Sequence, residues 1–264
     1  MTPKIELREA SHRYIRGAST VAAFESLSLS IGEGEFVSIV GPSGCGKTTL
    51  LFSIAGFLRP TQGQVLVDGK PVAGPGPDRG VVFQSFALFN WLSVRQNIEF
   101  GLRVAGVDAN RRRARSDELL SMVGLAHFAD RYPYELSGGM KQRTAISRAL
   151  ATDPGILLMD EPFAALDAQS REMMQEELVR IWEATRKTVM FVTHSIDEAI
   201  YLSSRVIVFT ARPGRIKHTL DIRLPAPRYD PHVRTSPEFV AAKDSILDLV
   251  REETLKQFKM EGSP

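Results

Sequence analysis

Residues 41–49 read Gly-Pro-Ser-Gly-Cys-Gly-Lys-Thr-Thr, and no other stretch of the chain restricts its possible folds so strongly. The pattern G-x-x-x-x-G-K-[ST] makes a loop whose backbone N–H groups can turn inward around phosphate oxygens. Gly41, Gly44 and Gly46 free the backbone for that turn, with Pro42, Ser43 and Cys45 at the variable positions and Thr49 just beyond the pattern. Lys47 supplies a point charge to the outer phosphates, and the Thr48 hydroxyl can ligate magnesium. Upstream, Phe36-Val37-Ser38-Ile39-Val40 has strand character; downstream, residues 48–57 lack proline and are rich in Leu, Ile, Phe and Ala. Strand, loop, helix is the setting such a loop needs. A helix starting near Lys47 aims its unpaired N–H groups and positive dipole end at the phosphates.

Other apolar runs end the same way, each at a polar functional group. Val81-Val82-Phe83 leads into Gln84, Ile156-Leu157-Leu158-Met159 into Asp160-Glu161, and Val189-Met190-Phe191-Val192 through Thr193 into His194. Near-continuous apolar runs alternating with helical stretches predict an α/β protein with a mainly parallel sheet, its strands buried on both faces. Ligands of such sheets bind beyond the carboxyl ends of the strands, so one site can collect all four endings. Residues 4–37 and 63–72 alternate with turn signals and predict a smaller antiparallel sheet. Between Gln84 and Ile156 the sequence turns helix-forming, with Ser93 and Gln96 spaced as a capping box. Beyond His194, residues 196–202 predict a short helix and 206–210 a strand. After the Arg212-Pro213-Gly214 turn, Ser236-Pro237-Glu238 caps a final helix reaching about Phe258.

The chain has 264 residues, 43% of them hydrophobic, enough for one large domain or a domain with a subdomain. No apolar run approaches a membrane span, and the first residues lack the apolar region of a signal peptide, so a cytoplasmic location is expected. Net charge is +2 from 33 basic and 31 acidic residues, which gives no global field favouring nucleic acid. The dense basic run Arg111-Arg112-Arg113-Ala114-Arg115 runs into Asp117 and Glu118 and reads as the solvated start of a helix. The single cysteine, Cys45, excludes an intrachain disulfide and agrees with a reducing compartment. Beside Lys47 and a helix N-terminus its thiolate is expected to be favoured, so that alkylation blocks nucleotide binding.

Asp160 and Glu161 end one of the apolar runs, and strand alternation is expected to point the two carboxylates in different directions. In a phosphoryl-transfer site one acid supports magnesium and another group positions or deprotonates the attacking water; Asp160 suits the first role and Glu161 the second. Leu136-Ser137-Gly138-Gly139-Met140-Lys141-Gln142-Arg143 opens a helix with Ser137 as N-cap. Gly138 and Gly139 weaken that first turn, which makes sense where a phosphate approaches the backbone.

The phosphate loop, Gln84, LSGGMKQR, ILLMDEP, Ala165-Leu166-Asp167 and His194 occur in that order, and over residues 4–215 the chain closely resembles the ATP-binding subunits of ABC transporters. The resemblance implies a P-loop NTPase core with a small antiparallel β-subdomain and an inserted helical subdomain. Residues 1–86 and 156–215 would form the core and β-subdomain, 87–155 the helical subdomain, and 216–264 a C-terminal extension. ATP and Mg²⁺ are the implied cofactors. Gln84 becomes the residue that senses magnesium and the membrane partner, so that Thr48, Gln84 and Asp160 form the metal set. Asp167 crosses a dimer interface, and His194 is the switch histidine near the γ-phosphate, acting with Glu161 and Gln84. Tyr14 matches the aromatic that stacks on adenine. Ser137, Gly138 and Gly139 meet the γ-phosphate of ATP held by the opposite subunit of a head-to-tail homodimer.

Within the family, residues 74–84, Glu161-Pro162-Phe163-Ala164-Ala165-Leu166-Asp167 and Pro213-Gly214-Arg215-Ile216 resemble the nitrate, sulfonate and taurine importer branch. Met140 stands where Gln is more usual, and Asn90-Trp91 where Pro-Trp is common. The implied protein lies on the cytoplasmic face of the inner (plasma) membrane and drives transmembrane permease subunits fed by a periplasmic or extracellular substrate-binding protein. Phe86, Leu88, Phe89 and Trp91 are expected in part to form the groove for a permease helix. Bicarbonate or a vitamin precursor is an alternative cargo. A non-transport ABC ATPase acting on nucleic acid is the rival from another class, but such proteins usually carry two ATPase domains or a long coiled-coil insertion, and this sequence has neither. A nonhydrolytic regulatory module is a third reading, against which Glu161 and His194 argue.

Overall fold

The computed structural model describes residues 2–17, 19–225 and 227–261. Its strands are β1 (Ile5–Arg16), β2 (Ser19–Ile31), β3 (Phe36–Val40), β4 (Gln62–Val67), β5 (Lys70–Pro71), β6 (Arg79–Val82), β7 (Ile156–Asp160), β8 (Thr188–Val192), β9 (Arg205–Phe209) and β10 (Ile216–Asp221). The helices are α1 (Lys47–Ala55), α2 (Val94–Val104), α3 (Ala109–Met122), α4 (Gly138–Ala151), α5 (Ala168–Thr185), α6 (Ile196–Leu202) and α7 (Pro237–Glu261). They form two compact units, one of Met1–Gly76 with Thr185–Pro264, the other of Pro77–Ala184.

In the first unit, β2, β1, β4 and β5 form an antiparallel sheet in that order. One face of β2 is buried and the other exposed over its second half, which is why its sequence alternates. In the same unit β3 runs parallel to both β8 and β9, with Val37 paired to Met190 on one side and Arg205 on the other. β3 and β8 are buried at every position, the physical reason for their near-continuous apolar sequences, in which only Ser38 and Thr188 are polar. β10 pairs antiparallel to β9. This strand escaped the sequence reading because Ile216–Asp221 is nowhere fully buried and has no clean alternation.

The second unit holds the parallel pair β6 and β7, in register from Arg79↔Ile156 to Val82↔Met159, and helices α2 to α5. The Ser93/Gln96 capping box is formed: the Ser93 hydroxyl accepts from the Gln96 N–H and the Gln96 side chain from the Ser93 N–H, at 3.3 and 3.0 Å. The basic run lies within α3, where Arg111 pairs with Asp108, Arg113 with Asp117 and Arg115 with Glu118. Among the described residues no helix is long and apolar enough to cross a membrane.

Candidate nucleotide site

The first unit carries the phosphate loop. β3 ends at Val40 and α1 begins at Lys47. Lys47 is 5% exposed, and its Nζ donates to the carbonyls of Gly41 and Pro42, both at 2.8 Å. Gly46 caps α1 in the left-handed region, with φ 95°, no side-chain cap and no acidic residue in the first turn. A helix start without a side-chain acceptor offers its leading N–H groups to an external anion. Gly46 is also fixed by close approach, since a Cβ there would stand 2.4 Å from the Ala23 carbonyl oxygen. Ser43 and Gly44 are exposed, Thr48 and Thr49 half-buried. Tyr14 of β1 brings its hydroxyl to 3.2 Å from Thr49 Oγ1, and its half-exposed ring meets the His12 ring edge-on at 4.8 Å.

Cys45 overturns the expectation made for it. Its side chain is fully buried, and burial pushes the thiol above its ordinary value, although Lys47 Nζ lies 3.6 Å from Sγ and pulls the other way. Desolvation of a thiolate exceeds the attraction of an ammonium already shared with two carbonyls. The residue is an inert, protonated filler beneath the loop.

His194 lies exposed between β8 and α6. Its neighbours are tightly held: the Thr193 hydroxyl donates to the buried Glu198 carboxylate at 2.6 Å and accepts from the Ser195 N–H at 3.0 Å. Ser195 in turn caps α6 by accepting from the Glu198 N–H at 3.3 Å. Thr193 and Glu198 were not singled out from the sequence. Ser195 and Glu198, spaced as [ST]-x-x-[DE], were the signal that marks this turn.

In the second unit, Gln84 follows β6 and its side-chain amide donates to Glu161 Oε2 at 3.3 Å. Two residues assigned to one site from the sequence thus meet across 77 positions of chain. Asp160 is the buried last residue of β7, while Glu161 lies beyond the strand in the left-handed region, φ 44°. The strand thus ends between them, so the pleat alternation expected from the sequence does not extend to Glu161. Ser137 is exposed and caps α4, accepting from the Met140 N–H at 3.3 Å. Only the backbone of residue 140 serves that cap, so methionine suffices there. Gly138 packs near Leu166, 3.1 Å from its Cδ2 to an added Cβ, whereas a Cβ at Gly139 would meet nothing within 4 Å. Asp167 is exposed and accepts from the Ser170 N–H at 2.9 Å, a bond that holds its carboxyl below the usual range.

The segment after Gln84 is held by two residues that the sequence did not flag. Asn97 is fully buried; its Oδ1 accepts from the Phe89 N–H at 2.9 Å and its Nδ2 donates to the carbonyls of Phe89, Leu92 and Ser93. Arg148 of α4 donates to the carbonyls of Phe86 and Ala87, both in the left-handed region, and lies 5.6 Å from the Phe89 ring centre. Phe89 packs on Phe100 at 4.4 Å, so it belongs to the unit's own packing, while Trp91 is 73% exposed.

The residues suit ATP and a hard cation. A buried lysine under a helix start that lacks its own cap fits a polyphosphate. Thr48, Gln84 and Asp160, expected from the sequence to hold magnesium, each carry an oxygen of the kind that cation takes. No group of three or more His, Cys, Asp or Glu that could hold a metal stands together among the described residues.

Fold and motifs define an ATP-hydrolysing cassette. The chain belongs to the ABC transporter family, whose model matches residues 24–164. It is 51% identical to the ABC transporter ATP-binding protein MJ0412 of Methanocaldococcus jannaschii, over 98% of this chain and 96% of that one. The nitrate import ATP-binding protein NrtD of Synechocystis is 45% identical over 94% and 95%, and the taurine import ATP-binding protein TauB of Rhizobium johnstonii 51% over 88% and 90%. A dimeric, post-hydrolysis structure of the ATP-binding cassette MJ0796 bound to ADP and Pi superposes with a TM-score of 0.72 at 35% identity, over 83% of this chain and 99% of that one.

Proposed function

We propose that the chain is the ATP-binding, ATP-hydrolysing subunit of an ABC importer that energises uptake of a small anion such as an aliphatic sulfonate, taurine or nitrate. Buried Lys47 beneath the uncapped start of α1 carries the nucleotide reading. Similarity to nitrate and taurine import proteins along nearly the whole chain supports the importer role and the cargo class.

In this reading Lys47 and the amides of residues 41–49 hold the phosphates, Tyr14 stacks on the adenine, and Thr48, Gln84 and Asp160 hold magnesium. Bound there, the metal supplies charge neutralisation on the transferred phosphoryl group. Glu161 orients and deprotonates the attacking water, and its contact with Gln84 fixes the carboxylate before the reaction. His194, on its braced turn, faces the γ-phosphate. Ser137, Gly138 and Gly139 complete the site of a second copy in a head-to-tail homodimer, with Asp167 at that interface. The exposure of Ser137 and the open space at Gly139 support this, because the chain's own packing does not demand glycine at 139. The dimeric form of the MJ0796 cassette supports it too.

Trp91, exposed at the end of a segment fixed by Asn97 and Arg148, suits a permease contact. The protein then works at the cytoplasmic face of the plasma membrane, peripheral to its permease, with a periplasmic or extracellular binding protein selecting cargo and no nucleic acid involved. Sedimentation with MgATP tests the assembly. Glu161→Gln should shift from monomer to dimer on adding ATP, Lys47→Ala should lose ATP binding, and Ser137→Arg in the Glu161→Gln background should bind ATP yet stay monomeric. Dimers that persist with Ser137→Arg would refute the head-to-tail arrangement.

A further inference from the structure

The Arg212-Pro213-Gly214 turn between β9 and β10, legible in the sequence as a turn and a family-branch feature, is built against the phosphate loop. Arg212 Nε donates to the Gly44 carbonyl at 3.2 Å. Gly214 lies so close to the loop that a Cβ would stand 2.1 Å from the Cys45 carbonyl oxygen. A trans peptide directs its C=O and N–H to opposite sides. Two successive carbonyls turned toward residues 212–214 therefore leave the N–H groups of Cys45 and Gly46 directed away from the turn, as a phosphate cradle needs.

The turn is itself held on every side. The Thr210 hydroxyl donates to the Pro213 carbonyl and accepts from the Arg215 N–H, at 2.9 and 3.0 Å. Gly214 N–H donates to the Ala23 carbonyl, the Glu25 N–H donates to the Gly214 carbonyl, and Arg215 pairs with Glu25. From α7, the buried Glu253 accepts from the Ala211 N–H at 3.0 Å while pairing with Lys217 and Lys256. A continuous series of bonds thus runs from the C-terminal helix through Glu253, Ala211 and Arg212 to Gly44.

We propose that residues 210–215 are a positioning element for the phosphate loop, in which Arg212 orients the Gly44–Cys45 peptide and Glu253 of α7 holds the turn, so that the C-terminal extension sets affinity for nucleotide phosphates. This rests on the nucleotide reading above. Neither residue is catalytic; both act through the loop backbone.

Equilibrium binding of MgATP to the full chain, with steady-state hydrolysis, tests it. Arg212→Ala should raise Kd and KM about 10-fold, the effect of losing one hydrogen bond to a charged donor. Saturating kcat should stay within about threefold, because transition-state contacts are untouched. Arg212→Lys should recover most of the affinity. Glu253→Gln, whose amide oxygen still accepts from Ala211, should bind nearly as the unaltered chain does, and Glu253→Ala should weaken binding as Arg212→Ala does. If Glu253→Ala fails to fold, the Arg212 pair decides alone. An unchanged Kd in Arg212→Ala, with the unaltered chain binding normally, overturns this inference and leaves the nucleotide site standing. An unaltered chain that binds no MgATP overturns the nucleotide site itself.

Discussion

At the scale of single residues, two side chains separate chemistry from packing. Glu161 is the group whose loss should stop turnover without loosening ATP, since general-base assistance contributes about 10²- to 10⁴-fold in rate. Single-turnover phosphate release from Glu161→Gln beside its ATP binding curve checks this; turnover within tenfold of the unaltered chain would contradict it. Cys45 looked reactive because a lysine and a helix start lie beside it, but its burial is a property of tertiary packing that the sequence of the loop does not carry. With the thiol pKa raised, the folded chain keeps its proton above the ordinary value of 9.0, so the stability linked to it is complete below that value and is lost as pH rises through the folded pKa. Iodoacetamide at pH 8 should therefore modify denatured chain and leave folded chain unmodified, as read by intact mass.

At the scale of elements, what could be read in advance was what repeats locally. The near-continuous apolar runs of β3, β7 and β8 and the caps at Ser93, Ser137 and Ser236 all depend on residues within a few positions of one another. What escaped depends on distant partners: β10, visible only through its pairing with β9; Asn97, whose role is four bonds to a loop; and Arg148, which meets Phe86 and Ala87 from 62 and 61 positions away. In the same way the sequence marks Asp160 and Glu161 as candidate functional residues, but not that the strand ends between them. The C-terminal helix shows how such elements report on pH. Lys217 and Lys256 hold the Glu252 carboxyl down at about 2, and Glu252 and Glu253 push Lys256 up to about 12. Folded values below the ordinary 4.5 for the acid and above 10.5 for the base mean that this network stabilises fully between those two limits. Its contribution fades as pH falls from 4.5 toward 2 and as pH rises from 10.5 toward 12. Thermal melts of Lys256→Met against the unaltered chain should show a Tm difference at pH 7 that shrinks toward both ends and in high salt, because Lys256 and Glu252 are exposed.

At the scale of the whole molecule, the motifs divide between two units. The phosphate loop, Tyr14 and His194 belong to the first, and Gln84, Asp160, Glu161 and the Ser137 helix to the second. Their order along the chain was legible because each follows a recognisable strand or helix start; the bracing that fixes them was not, being made of long-range bonds such as Gln84 to Glu161 and Arg212 to Gly44. In the function we propose, all these parts serve the hydrolysis of ATP. Steady-state phosphate release by the purified chain, alone and with its permease, in magnesium and in EDTA, tests it most directly. The predicted result is release that requires magnesium and disappears in Lys47→Ala and Glu161→Gln. Absence of magnesium-dependent release from the unaltered chain under both conditions, or release that survives Lys47→Ala, would contradict it.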